Sequence, residues 1–469
     1  MIKRRLTMEK GFTCALVRLV TIASLLLFNS AGYAKNVIFF LGDGMGISTV
    51  TAARIFAGQA AGATGEEYDL AFDQFPHLAL IKTYNTDAQV PDSAGTISAI
   101  LTGEKTRAGV SGIKSSVERG NCKEALENPL PTILEAAEAA GFLTGIVSTA
   151  RITHATPAGT YAHFPERNWE NNSELSEQAV EEGCRDIARQ LVEFDFGDGI
   201  EVILGGGRAQ FLPINSEDPE YPERNGTRTD NRNLIDEWVA KSSDRKYVWN
   251  LKAFSNLNPE SNSQFLGLFE PSHLKFEVDR VKDSAGEPSL AEMTAFAIKR
   301  LSFDSKKDFF LLVEAGRIDH GHHAGNAYRA LTDTVAFSDA IKVSQSLVDK
   351  NKTLMIVTAD HSHTMTISGY PSRGNPILGL VDTMKDATSK PYTTLSYANG
   401  PGYQRSIPDL SKIDVKDINY RQLAGVPMYA ETHAGEDVAA YATGPNSKDV
   451  RGTMEQNQLH GVMYKTLFK

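Results

Sequence analysis

Between Asp308 and Asn326 the sequence reads DFFLLVEAGRIDHGHHAGN, and a short part of it offers Glu314, Asp319, His320, His322 and His323. Carboxylate oxygens and imidazole nitrogens are the atoms Zn²⁺ accepts, and Asp319 with His323 has the i, i+4 spacing that lets two side chains meet on one helical turn. The run before them, Phe309 to Val313, is continuously apolar, as in a fully buried strand. The cluster thus falls at the C-terminal end of a strand, where open α/β sheets bind their ligands. The alternative is a solvated polar loop with a chance group of histidines. The same arrangement recurs where the apolar run Thr353 to Thr358 ends in Ala359-Asp360-His361-Ser362-His363. It recurs again where Val37 to Leu41 ends in Gly42-Asp43-Gly44-Met45-Gly46, although Asp43 taken alone is equally a turn residue or a helix cap.

A nucleophile is offered by Val90-Pro91-Asp92-Ser93-Ala94-Gly95-Thr96, which follows the strand expected over Leu78 to Thr83 and opens a helix of small residues. Ser93 then sits at a helix N-terminus, where free N–H groups and the helix dipole favour an anion. The plainer reading is that Asp92 or Ser93 only caps the helix. His433, in Glu431-Thr432-His433-Ala434-Gly435, carries no signal of its own.

These residues need elements to position them. Pro131-Thr132-Ile133-Leu134-Glu135 is a T-x-x-E capping box, Gly141 closes its helix, and the strand expected over Phe142 to Ser148 delivers Arg151, His154, Thr156 and, after a loop, Arg167. Repeated strand, helix, strand units with polar residues after the strands imply an α/β fold with a central, mostly parallel sheet and helices on both faces. The run Ile200 to Leu204 adds a strand ending in Gly205-Gly206-Gly207-Arg208, read as a turn because a phosphate loop would need a Lys and a following helix. Residues 213–232 read as an extended surface loop, and Ser289 with Glu292 as a second capping box. Residues 369–427 lack clear periodicity and are expected to form an inserted, irregular subdomain over the site.

The chain has 469 residues, 41% hydrophobic and 23% charged, as in a soluble globular protein. Residues 1–34 read as an export signal: Lys3, Arg4, Arg5, Lys10 and Arg18 precede the apolar run Leu19 to Phe28, and small residues end at Ala34. An N-terminal anchor is the alternative, although the run is short for a membrane span. Five basic residues and one acidic residue lie in that stretch, so the formal charge of −10 becomes −14 without them, which argues against nucleic-acid binding. Cys122 and Cys184 would remain as an even pair in an oxidising compartment, periplasmic or extracellular, which favours a disulfide over a zinc site.

The motifs DGMG at Asp43, PDSAGT around Ser93, HATPAGTYAH from His154, VEAGRIDHGHH from Val313, TADHSH from Thr358 and THAGED from Thr432 together resemble the alkaline phosphatases of the binuclear zinc and magnesium type. His154, His320, DPEYP at Asp218, YVWN at Tyr247 and LFEP at Leu268 place the resemblance closer to the animal-like branch than to the enteric bacterial one. The resemblance implies a catalytic domain over residues 35–469, with phosphate monoesters as substrates and a homodimeric assembly. It implies Asp319, His323 and His433 as ligands of one zinc, and Asp43, Asp360 and His361, joined by Ser93, as ligands of a second. Asp43, Thr156 and Glu314 would hold magnesium, with His154 reaching it through water and His320 tuning the metal surroundings. Ser93 would form a phosphoserine while Arg167 clamps two phosphate oxygens. A fourth, calcium site is implied at Glu220, the Phe269 carbonyl, Glu270 and Glu287, although the animal pattern has Asp at position 287; three solvated glutamates are the alternative. A phosphodiesterase or sulfatase on the same fold, or an exported metal- or phosphate-binding protein without turnover, are the competing functions.

Overall fold

The structure, a computed structural model, describes residues 35–469; the export signal expected over residues 1–34 lies outside the described residues. The largest sheet among the described residues has ten strands. From edge to edge they are Gly452–Glu455, His77–Lys82, Val438–Thr443, Thr353–Thr358, Asn36–Gly42, Phe309–Ala315, Leu143–Arg151, Val202–Gly206, Gln264–Leu268 and Arg245–Val248. The central strands are parallel, and their continuous apolar sequences follow from burial on both faces. Val37 to Leu41 and Phe310 to Val313 are fully excluded from solvent. Each such side chain contributes about 1.5–3 kcal/mol. That reserve allows the same strands to carry costly buried acids at their ends.

Register decides which ends coincide. Leu41 pairs with Glu314 on one side and with Thr358 on the other, and Ser148 pairs with Glu314. Asp43, Glu314 and Asp360 therefore emerge side by side at one edge of the sheet. The strand Val438–Thr443 runs antiparallel to Thr353–Thr358 and to His77–Lys82. Its reversed direction brings the residues that precede it, His433 among them, to the edge where the parallel strands finish. The strand His77–Lys82 points the same way as the central ones, and the chain beyond it reaches Ser93 at the same edge.

Helices Ile47–Ala60 and Leu290–Leu301 both pack against Ala327–Leu347, and Ser93–Thr102, Ile133–Ala139 and Gln458–Phe468 form a second group. Both capping boxes form as expected, Thr132 with Glu135 and Ser289 with Glu292. The strand expected to end at Ser148 continues to Arg151, and the strand expected over Ile200 to Leu204 instead spans Val202–Gly206. Gly207 makes the turn, and Arg208 goes into the protein, where its guanidinium donates to Asp218 at 2.7 Å and Glu220 at 3.1 Å. Residues 213–232 contain no helix or longer strand, yet they are more than a surface loop, because Arg228 is fully buried against Asp186 at 2.9 Å. Residues 369–427 carry more order than their sequence suggests: Leu395–Gly400 pairs with Met365–Ile367 and with Ala424–Pro427 in a small sheet. Strands of three to six residues leave too little alternation to read.

Cys122 and Cys184 form the expected disulfide, with Cα atoms 5.9 Å apart. No helix among the described residues is long and apolar enough to cross a membrane.

Candidate active site

Ser93 is the first residue of the helix Ser93–Thr102, and Asp92 is its cap: Asp92 Oδ1 accepts from the Gly95 amide at 3.1 Å. The two roles left open by the sequence are thus divided between neighbours, and Asp92's capping leaves the Ser93 hydroxyl free for other chemistry. Ser93 is buried, with Oγ 3.2 Å from His361 Nε2. The same nitrogen lies 3.1 Å from Asp360 Oδ2 and 3.5 Å from Asp43 Oδ1. Gly44 holds this corner together by donating its amide to Asp360 Oδ1 at 3.0 Å. Its φ is +70°, and a Cβ there would fall 2.4 Å from the His363 ring, so only glycine fits.

A second group adjoins the first. Asp319 and His323 lie on the helix Arg317–His323, one turn apart, with His323 Nε2 3.3 Å from Asp319 Oδ1. His433 Nε2 is 3.4 Å from the same oxygen and 3.2 Å from His323 Nε2. The other ring nitrogen of each histidine faces a backbone carbonyl, Glu431 for His323 and Pro91 at 2.8 Å for His433. Donation to those carbonyls fixes the proton on Nδ1 and leaves both Nε2 lone pairs directed at one point, the tautomer that metal ligands adopt. The rings of His361 and His433 stack with centroids 3.6 Å apart, which joins the two groups.

A third group sits beneath. Ligand atoms of Asp43, His154 and Glu314 lie within 4.8 Å of one another. Ser148 donates its hydroxyl to Glu314 Oε2. Glu314 Oε1, Thr156 Oγ1, His154 Nδ1, Asp360 Oδ2 and both carboxylate oxygens of Asp43 are buried without a hydrogen-bond partner. Buried polar atoms are nearly always satisfied, so a concentration of orphans on acids and a hydroxyl is the mark of a cation site. Electrostatics agree. Burial, followed by the charges of Asp360, Asp319 and Glu314, holds the Asp43 carboxyl far above the usual range, and burial pushes Glu314 up to about 8. Divalent cations would relieve that repulsion, and carboxylate oxygens with imidazole nitrogens are donors such cations accept.

Arg167 approaches from the side of the Ser93 helix. Its guanidinium donates to Asp92 Oδ2 at 3.0 Å and lies 3.1 Å from His154 Nε2. His320 lies beside His154, with ring centroids 5.6 Å apart, and Arg317 Nη1 is 3.1 Å from its Nδ1. Every residue expected at this centre is brought to it. Sequence reasoning missed His363 and Glu431. His363 Nε2 is 2.7 Å from Asp319 Oδ1, and its Nδ1 meets the Glu431 carboxylate. Burial opposes charging this ring, but hydrogen bonds to Asp319 and Glu431 push it up to about 10, so it orients Asp319 as an imidazolium. The His-x-His spacing of residues 361 and 363 was the available signal.

The expected peripheral site is gathered with one change. Ligand oxygens of Glu220, Glu270 and Asp283 lie within 4.8 Å of one another, and Asp283 was not singled out by sequence. Glu287 is close enough for Glu270 to raise its pKa, after burial, to about 9, but one of its oxygens accepts from the Lys275 amide at 2.9 Å. Phe269 is buried next to Glu270 in the chain. Glu220 Oε1 and Glu287 Oε2 have no partner.

The family model for alkaline phosphatase matches residues 34–468. An alkaline phosphatase of Gadus morhua is 46% identical over 440 residues, spanning 92% of this chain and 91% of its own. The tissue-nonspecific isozyme of Homo sapiens is 45% identical over 439 residues, spanning 92% of this chain and 83% of its own. Among solved structures, alkaline phosphatase from Thermus thermophilus has a TM-score of 0.65 at 23% identity, covering 93% of this chain and 91% of that one. The enzyme from the Antarctic bacterium TAB5 has a TM-score of 0.63 at 24% identity, covering 92% and 98%. These matches run from the first strand of the sheet to the C-terminal helix and bracket the whole acid and histidine cluster, so the chain belongs to the alkaline phosphatase family.

Proposed function

We propose that the protein hydrolyses phosphate monoesters through a phosphoserine at Ser93. The observation that carries this reading is the placement of Ser93 Oγ, 3.2 Å from His361 Nε2, among buried acids whose oxygens lack partners, with Arg167 held alongside by Asp92. Asp319, His323 and His433 would hold one zinc; Asp43, Asp360 and His361, with Ser93, a second; Asp43, Thr156 and Glu314 a magnesium that His154 reaches through water. When bound, these ions lower the pKa of coordinated hydroxyls and neutralise charge on the attacking and leaving oxygens.

The protein's own groups then do the positioning. Arg167 presents a planar pair of donors to two phosphate oxygens, and Asp92 keeps that plane turned toward Ser93. Ser93 Oγ, having given its proton to solvent water, forms a bond to phosphorus as the ester bond breaks on the opposite side, and the alcohol departs with a proton taken back from water. Water then attacks phosphorus from the side the alcohol left. The Oγ–P bond breaks and inorganic phosphate is released. Positioning and charge neutralisation supply most of the acceleration in such transfers. Comparing initial rates on a phosphate monoester, a diester and a sulfate ester tests the substrate class. The monoester is expected to dominate, and a faster diester or sulfate reaction would contradict the reading.

Arg167→Ala is expected to raise KM and the inhibition constant for inorganic phosphate by about tenfold or more, from loss of charge-assisted hydrogen bonds worth about 1.5–3 kcal/mol. Turnover should persist, and unchanged phosphate inhibition would remove Arg167 from the site.

The acidic cluster at Glu220, Glu270, Asp283 and Glu287 would bind calcium, whose hard charge suits carboxylates. Arg208 and Lys275 already offset part of its charge, at 3.1 Å from Glu220 and 2.9 Å from Glu270. The orphaned oxygens of Glu220 and Glu287 are what a cation would satisfy. Calcium at a hundred times its Kd is expected to add about 2.7 kcal/mol and raise the melting temperature. The shift should vanish in Glu220→Ala; no shift in the parent protein would leave the cluster without calcium.

The disulfide and the acidic chain support export to an oxidising compartment, and residues 369–427 fit an insertion over the site. Its strands reach the helix Arg317–His323, where the Tyr397 hydroxyl meets His322 Nδ1 at 2.8 Å. The family resemblance supports a homodimer.

A further inference from the structure

His163 stands four residues before Arg167 and takes no part in the chemistry above. Its imidazole has an acceptor at each nitrogen: the Gly112 carbonyl at 2.8 Å from Nδ1 and Glu135 Oε1 at 2.8 Å from Nε2. A neutral imidazole has a single N–H, so only the imidazolium satisfies both. Burial and Arg185 oppose the charge, but Glu135 and the Gly112 carbonyl hold the ring above the usual imidazole range. The other Glu135 oxygen accepts from the Thr132 amide in the capping box at 2.8 Å. The His163 backbone is fixed as well, donating to Gln190 Oε1 at 2.9 Å and accepting from Gln190 Nε2 at 3.1 Å. Gly112 has φ +66°, and a Cβ there would fall 2.5 Å from His163 Nδ1, so the close approach requires glycine.

From this ring two paths lead to the reacting centre. The Gly112 amide donates to Ser98 Oγ at 3.1 Å, on the helix that begins with Ser93. Ser111 and Phe164 exchange both backbone hydrogen bonds at 3.0 Å, and the Arg167 amide donates to the Gly109 carbonyl at 2.9 Å. Residues 109–112 and 163–167 thus form a backbone pair with His163 near one end and Arg167 at the other.

We propose that His163 is a positioning residue for phosphate binding: its ring, clamped between Glu135 and the Gly112 carbonyl, fixes the backbone pair that aims Arg167 at the Ser93 hydroxyl. The inference rests on the reading of Arg167 as the phosphate clamp. The charged groups facing the ring are Glu135, from the helix Ile133–Ala139, and Arg185, from the segment preceding the helix Ile187–Val192.

The test uses the full enzyme loaded with zinc and magnesium, with inorganic phosphate as the competitive probe. His163→Ala is expected to raise the phosphate inhibition constant and KM about fivefold, within the range for coupled residues, with metal content unchanged and kcat affected less. In an Arg167→Ala background the same substitution should have no further effect. An unchanged inhibition constant, or the same fold-change in both backgrounds, would overturn the proposal. If His163→Ala does not accumulate as folded protein, His163→Phe keeps a ring in the same space while removing both hydrogen bonds. It must weaken phosphate binding only where Arg167 is present; equal weakening in both backgrounds overturns the proposal. Arg167→Ala alone with normal phosphate binding would instead sink the reading on which the inference rests.

Discussion

Enzyme stripped of metal by a chelator is expected to lose monoesterase activity by about 10³-fold or more, and zinc together with magnesium to restore it, since metals supply several kcal/mol of charge stabilisation in such sites. The reason lies in what the bare site lacks. A serine hydroxyl is a weak nucleophile at its ordinary pKa and needs a base or a cation to activate it. The groups nearest Ser93 Oγ are His361, whose basicity burial lowers, and acids that already repel one another. Arg167 is the cation held near Ser93, and it is engaged with Asp92. Full activity in protein shown to be free of zinc would contradict the mechanism at its base.

Ser93→Ala is expected to lower kcat/KM by about 10³-fold, the scale of losing a covalent nucleophile while binding groups remain. Zinc and magnesium content should change little, because Asp43, Asp360 and His361 come from strand ends that do not depend on the Ser93 helix. Removing the hydroxyl deletes its contact to His361 and the serine ligand of the second zinc, and leaves Asp43, Asp360 and His361 to hold that ion. A variant that retains parental turnover would assign the nucleophile elsewhere.

Much of this centre was legible because its chemistry follows strands that are apolar throughout. Phe309–Ala315 and Thr353–Thr358 must be buried on both faces, so the polar residues after each had to gather at one sheet edge. The i, i+4 pair Asp319 and His323 was readable for the same local reason. His433 was not: it reaches the site because Val438–Thr443 runs antiparallel, a pairing between segments distant in sequence. His363 carries only its His-x-His spacing with His361, and Glu431, which meets the ring of His363, has no local pattern that separates it from other polar residues. The helix Ala327–Leu347 was hidden for a different reason. It buries Asp333, Thr334, Ser338 and Ser344 along with its apolar residues, so no clean apolar stripe marks it. Asp283 escaped notice because it lies in a polar turn and meets Glu220 and Glu270 only through the fold.

The central claim is that phosphate passes through Ser93. Enzyme mixed with a phosphate monoester, quenched in acid and digested, should yield by tandem mass spectrometry a peptide covering Pro91 to Thr96 with phosphate on Ser93. Phosphate found on another residue, or a quenched enzyme that never carries phosphate while turning over substrate, would contradict the account.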